Sequence, residues 1–404
     1  VKLSSILLFP FLVTAASGLF AAPGDVIQVQ FDAALNPAEI DSELPVLFES
    51  ITPPEARYGV DIYFVDYETT ALDGSATSTR AQLFVPRLSE RADVPLYVFA
   101  PGSTGLVDAC RPSREHVIGV DWGRYRIHAL AHAGQGSVVV MPDYMNFRVA
   151  GAIQPYFISR AEAPVLLDAI RSARAVLANS DYLAQPAVGA FLAGYSQGGH
   201  AIFAAADLQV EYAPEVEIAG IIGYGPSTNV ENLFREWTVA APLVTYAYAT
   251  FYGEDRFDPS EILQDRWLDD LAHDATTQCI GAIQRYYPLE PEPLYRRDFV
   301  DALLGGSLDE EFPRIAELME LNNAGLSGHE FPVLILAGTD DIVVFPESQT
   351  AFVSALCERG SDVRYRVYDG ARHDTRQIGF SEAVEWMHAR LADEPVPTTC
   401  ERYR

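Results

Sequence analysis

The chain has 404 residues, 49% hydrophobic and 21% charged, enough apolar material for a large buried core. Its 28 basic residues face 56 acidic ones, and the net charge of -28 argues against nucleic acid as a partner because such a field repels phosphate backbones. An even composition without repeats excludes the disordered, collagen-like and solenoid classes.

The chain opens with an address. Lys2 precedes an apolar run over 6–13 and the small residues 15–18, a charge–apolar–small pattern that reads as a secretory signal peptide over 1–18, with cleavage after Gly18 preferred over Ala22. This run is too short to span a membrane as a helix, and no later stretch offers about 18 uncharged apolar residues, so no stable membrane insertion is expected. The mature protein is expected to be secreted or periplasmic, where disulfides are permitted. The four cysteines, Cys110, Cys279, Cys357 and Cys400, include no Cys-x-x-Cys pair, which disfavours a metal site and favours two disulfides. Spacing alone leaves all three pairings open.

Runs of β-formers predict strands at 59–67, 80–85, 96–100, 137–141, 188–193, 218–223, 333–337 and 363–368. Helical periodicity fills the gaps at 125–132, 161–177, 199–210, 347–358 and 380–391. Adjacent early strands followed by strand–helix alternation imply an α/β fold, a mostly parallel central sheet with helices on both faces. The stretch from about 227 to 325 breaks this rhythm, with aromatic and Leu residues at helical spacing and no convincing strand. It reads as a helical cap inserted into a core formed by 19–226 and 326–404.

The chemistry concentrates at Gly194-Tyr195-Ser196-Gln197-Gly198-Gly199, a G-x-S-x-G sequence between a strand and a helix. So tight a turn tolerates only small neighbours and holds the Ser196 hydroxyl above the carboxyl edge of the sheet. The Gln197 N–H, opening the helix, is aimed at the same place and suits an oxyanion. A serine needs an imidazole oriented by a carboxylate, and in α/β-hydrolases these follow in the order Ser, acid, His. The strand at 333–337 runs into Asp340 and Asp341; the strand at 363–368 runs into His373. Asp341 is favoured over Asp340 because the acid usually stands two residues beyond the Gly-Thr pair. The small loop 101–105 after the strand at 96–100 is the expected source of the second oxyanion donor, at Ser103 or Thr104.

These residues resemble the secretory lipase family of α/β-hydrolases. The likeness runs from about residue 100 to 400. It rests on Cys110-Arg111-Pro112-Ser113, the elbow at Ser196, Tyr212-Ala213-Pro214-Glu215, the Asp341 and His373 loops, one cysteine in the insertion and cysteines on both sides of His373. The resemblance implies a lipase or esterase acting through Ser196, Asp341 and His373 on a small-molecule or lipid ester, without cofactor or metal. It also implies the pairs Cys110–Cys279, tying cap to body, and Cys357–Cys400, closing a loop around His373. The oligomeric state is not indicated.

Other residues read as structure. His128 and His132 lie one helical turn apart but lack a nearby carboxylate, so they read as a packed helix face; His200 reads as packing and Asp143 as a capping residue. Trp237, Tyr246, Tyr248, Phe251 and Tyr252 read mainly as cap core, with a minority lining a pocket, and the aromatic cap predicts an apolar acyl site above Ser196. Two rival readings use the same residues: a peptidase with the same triad, and a binding protein that retains the fold without catalysis. A peptidase would need a polar anchor in the cap, and a binding protein has no reason to keep all three triad members.

Overall fold

The computed structural model describes residues 21–115, 121–178 and 181–403. The signal segment read at 1–18 lies outside the described residues. One nine-stranded sheet runs through the described residues: β1 (Val26–Leu35), β2 (Val60–Thr70), β3 (Ala76–Pro86), β4 (Ala92–Ala100), β5 (Val138–Pro142), β6 (Ala184–Tyr195), β7 (Ile218–Tyr224), β8 (Val333–Gly338) and β9 (Val363–Tyr368). Their spatial order is β1-β2-β3-β5-β4-β6-β7-β8-β9. The pairings β1–β2, β2–β3 and β3–β5 are antiparallel, and all those from β5 to β9 are parallel.

The inner parallel strands β5, β7 and β8 read as apolar runs because both faces are covered, whereas β9, at the sheet edge, carries Arg364 and Arg366. In β8, Val333, Ile335 and Ala337 join the core cluster on one face while Leu334 and Leu336 join that on the other. The helices Ser159–Leu177, Gln197–Tyr212 and Pro346–Glu358 supply the first cover; Tyr125–Gly134 and Phe380–Leu391 supply the second. Each fully buried Val, Leu or Ile contributes about 1.5–3 kcal/mol of transfer free energy, which makes this sheet the rigid part of the molecule.

The strand β1 is absent from the sequence-based set. Its Ile27, Val29 and Phe31 do alternate with polar residues, but they are all exposed at the sheet edge, so the alternation marks no buried face. Between β7 and β8 the chain is helical, including Val230–Glu236, Ala241–Tyr252, Asp265–Thr277, Arg297–Gly305 and Pro313–Leu321. Prolines 242, 259, 291 and 313 stand at the first turns of four helices in this segment, where the missing N–H costs nothing and a preceding helix cannot continue. These helices enclose a core of their own, with Phe234, Leu243, Tyr248, Phe299 and Leu318 packed onto Tyr156, Phe157 and Val165 of the body.

Disulfides join Cys110 to Cys279 and Cys357 to Cys400, 169 and 43 residues apart in sequence. Beside the first, Gly105 and Cys279 form an isolated antiparallel bridge and Ile280 N–H donates to the Thr104 carbonyl at 2.9 Å. The loop after β4 is thereby stitched to the segment between β7 and β8.

Candidate active site

The end of β6 makes a turn that only its sequence permits. Ser196 has φ 54°, a left-handed conformation that costs a non-glycine residue roughly 1–2 kcal/mol and is held here by the sheet and the following helix. A Cβ on Gly194 would strike the Gly198 carbonyl oxygen, one on Gly198 the Ala100 carbonyl oxygen, and one on Gly199 the Cα of Pro226. The helix Gln197–Tyr212 starts immediately after Ser196, so its first N–H groups lack intrahelical acceptors and its positive end lies at the serine.

Asp341 and His373 follow β8 and β9, and Gly338 pairs with Tyr368 at the ends of those strands. One oxygen of Asp341, Oδ1, accepts the Val343 and Val344 N–H groups at 2.8 and 3.0 Å; the other, Oδ2, lies 2.9 Å from His373 Nδ1. The carboxylate is therefore fixed by its own loop and turned towards the imidazole. Asp340 is exposed and bonded locally to Thr339, so the geometry distinguishes the two adjacent acids. His373 Nε2 is buried without a hydrogen-bond partner among the described residues, and His373 and Ser196 line one cavity.

The loop after β4 delivers Ser103 to the same cavity, its hydroxyl 2.5 Å from that of Tyr156. Thr104 is fully buried and its carbonyl is engaged by Ile280, so of the two candidate donors Ser103 is the one that meets the cavity. The cavity measures about 660 Å³, within the usual range for small-ligand sites.

Its walls are mixed, with Trp122, Tyr125, Tyr195, Ile280 and Val343 supplying apolar surface beside polar and charged groups. Of the five cap aromatics only Trp237 lines it; Tyr248 is fully buried and donates to the Phe157 carbonyl, and Tyr246, Phe251 and Tyr252 pack against the cap core. Asp121, Gln278, Gln284, Arg285, Asp374 and Arg376 line it as well. Most of the aromatic content of the cap serves its own core, and one of the five residues reaches the cavity.

The loop after His373 holds groups that the sequence reading missed. Arg376 is almost fully buried, bonded through Nε to Asp374 and through a terminal nitrogen to the Gly123 carbonyl, and it lies 4.5 Å from the Tyr195 ring centre and 5.0 Å from that of Tyr125. Asp374 raises the affinity of this guanidinium for its proton, and Arg376 in turn holds the Asp374 carboxyl below its ordinary range against the opposing effect of burial. The Tyr195 ring stands 5.0 Å from that of His373, so this cation–π stack braces one wall beside the imidazole. Its signal was the Asp-x-Arg spacing directly behind His373.

The residues read as structural are packed. His132 stacks on Tyr97 at 4.1 Å and burial pushes its pKa down to about 3; His128 bonds the Tyr97 hydroxyl at 2.9 Å and is likewise shifted down by burial. Asp143 accepts the N–H and hydroxyl of Ser113, and burial raises its pKa to about 6. The His200 ring is fully buried and bonds Glu162, not the Ser196 hydroxyl.

A parallel sheet with a strand–serine–helix turn at its carboxyl edge defines an α/β-hydrolase. The described structure superposes on the rice cell wall degrading esterase LipA of Xanthomonas oryzae with a TM-score of 0.72 at 19% identity, covering 95% of this chain and 100% of that one. For Candida antarctica lipase A the TM-score is 0.66 at 20% identity, covering 94% and 84%. Lipase A of Arthroderma benhamiae is 26% identical over 372 residues, 84% of this chain and 72% of that protein. Residues 120–398 match the model of the family described as secretory lipase. The chain belongs to that family and is a carboxylic ester hydrolase.

Proposed function

We propose that the protein cleaves carboxylic esters through a Ser196–His373–Asp341 triad and an acyl-enzyme. The observation that carries the reading is the Asp341 Oδ2–His373 Nδ1 contact of 2.9 Å, with Nε2 left unpartnered in the cavity that Ser196 lines. Asp341 holds the proton on Nδ1, so Nε2 accepts the Ser196 proton as Oγ attacks the ester carbonyl. The negative oxygen is met by the N–H groups of Gln197 and Ser103. Collapse of the tetrahedral adduct expels the alcohol, which takes its proton from Nε2, and water deacylates the serine by the same path. Each oxyanion donor is expected to contribute about 10²–10³ in kcat.

The domain division follows from this reading: a core of 19–226 and 326–404 bears the triad, and 227–325 closes over it as a cap. The family description as secretory supports export to the extracellular or periplasmic space. Among the described residues no helix is long and apolar enough to cross a membrane.

A cavity of about 660 Å³ whose wall mixes aromatic with charged side chains supports esters with a compact acyl group over long-chain glycerides. The test is kcat/KM for p-nitrophenyl esters from C2 to C16, with a matched p-nitroanilide beside them. A maximum at C2–C6 with negligible anilide turnover is the expected result. Highest efficiency at C12–C16 would overturn the substrate reading, and comparable anilide turnover would restore the peptidase.

A further inference from the structure

Behind the elbow, four buried side chains form a chain of hydrogen bonds that the reaction as described does not use. The Gln197 side-chain amide donates to Glu162 Oε1 at 2.7 Å and to Gln154 Oε1 at 3.1 Å. Gln154 Nε2 donates in turn to the Gly105 carbonyl, and its backbone N–H to the Leu106 carbonyl at 2.8 Å. Glu162 Oε1 also receives the Phe157 N–H at 3.2 Å, in a turn where Phe157 has φ 54°. Glu162 Oε2 lies 2.6 Å from His200 Nδ1, and His200 Nε2 lies 2.5 Å from the Asn322 carbonyl. Glu162, Gln154, Gln197 and His200 are each 2% exposed or less.

A buried carboxylate is unfavourable unless several donors converge on it, so three on Glu162 mark a junction. It connects the elbow helix through Gln197 and His200, the turn at Phe157, and through Gln197 and Gln154 the loop that carries Ser103. The elbow helix and the Ser103 loop are the two backbone segments that supply the proposed oxyanion donors. Two donors stabilise one developing charge only if their separation is held to within about 0.5 Å.

We propose that Glu162 is a positioning residue that keeps the Gln197 and Ser103 N–H groups in register, an inference that rests on the oxyanion assignment above. Because a carbonyl only accepts, His200 Nε2 must carry a hydrogen towards Asn322, and one further proton sits between Nδ1 and Glu162. A glutamine at 162 meets the same demands: its oxygen accepts from Gln197 and Phe157, and its amide donates to a neutral Nδ1. The role is thus one of hydrogen-bond geometry, with no requirement for charge.

The experiment compares Glu162→Gln, Glu162→Ala and Gln154→Leu, each normalised to active sites titrated with a p-nitrophenyl phosphonate. The readouts are kcat, KM and affinity for a trifluoromethyl ketone, to which Ser196 Oγ adds while its proton passes to His373 and the ketone oxygen becomes the oxyanion. Glu162→Gln is expected within about 3-fold of the parent. Glu162→Ala should lose about 10²-fold in kcat per titrated site at nearly unchanged KM, with a parallel loss of ketone affinity. Gln154→Leu cuts only the arm to Gly105 and should lose about 10-fold in both, which keeps the test available if the alanine variant does not fold. Normal turnover and ketone affinity per titrated site in Gln154→Leu, or a Glu162→Gln as impaired as Glu162→Ala, would overturn the proposal. Full activity of Ser196→Ala would instead overturn the reading on which it rests.

Discussion

The carboxyl edge of the sheet and the helical segment between β7 and β8 are built on opposite rules. At the carboxyl edge, Ser103, Ser196, Asp341 and His373 each follow a strand whose register is set by pairing within the sheet, and their positions leave little freedom. Between β7 and β8, short proline-started helices pack around aromatics of their own, fixed to the body by Cys110–Cys279 and the bridge beside it. On the proposed mechanism the edge supplies the groups for bond breaking, while the helical segment supplies much of the cavity wall. A change at the edge should therefore appear in kcat, and one in the helical segment in KM and in the choice of ester.

The sharpest break in that comparison comes from the triad. Ser196→Ala and His373→Ala should each lower kcat/KM for a short ester by at least about 10³, with melting temperature nearly unchanged. Asp341→Asn should fall by a similar factor, whereas Asp340→Asn, altering an exposed neighbour, should stay within about 3-fold. A crippled Asp340→Asn beside a mild Asp341→Asn would move the acid by one residue.

The two disulfides separate the regions next. On the chain-entropy model, loops of 169 and 43 residues correspond to about 5 and 4 kcal/mol. Replacing Cys110 and Cys279 by alanine should lower stability and raise KM, because Cys279 lines the cavity and the loop bearing Ser103 is released. Replacing Cys357 and Cys400 should lower stability with KM unchanged. Denaturant titration with kinetics on the parent and the two double variants checks both; equal KM values would show that the first bond does not shape the cavity.

How far the sequence speaks differs between the regions in the same way. The G-x-S-x-G turn, the buried strands and the acid and histidine loops were legible because each is dictated by local rules: glycine where a Cβ would collide, apolar runs where both faces are covered. The preference for Asp341 over Asp340 rested on spacing, and only the Val343 and Val344 N–H groups gave it a physical reason. The cavity wall was not legible. Arg285 and Gln284 reach it through the fold of a segment whose helical periodicity says which side is apolar but not what that side covers. The junction at Glu162 was hidden for the same reason, since its network joins four separate stretches of chain, at 105–106, 154–162, 197–200 and 322.

The smallest effect lies far from the cap, under the sheet. His132 has both ring nitrogens buried without partners, and its pKa is lowered to about 3. A folded value below the unfolded one near 6.5 stabilises the protein above that pH, and this contribution is lost as pH falls from 6.5 towards 3. At pH 5 the loss amounts to roughly 2 kcal/mol, so His132→Phe should flatten the decline in melting temperature between pH 7 and pH 5 while leaving kcat/KM unchanged. His128, also shifted down, keeps part of the slope. An unaltered pH dependence would mean that His132 titrates normally.

The central claim is that Ser196 is the nucleophile, and covalent capture tests it most directly. The protein is treated with a p-nitrophenyl alkylphosphonate, released nitrophenol is counted, and the adduct is mapped by peptide mass spectrometry. One equivalent released per chain, loss of esterase activity in step with it, and a single phosphonylated peptide modified at Ser196 are the predicted results. A label on any other residue, or full activity remaining after stoichiometric labelling of Ser196, would contradict the account.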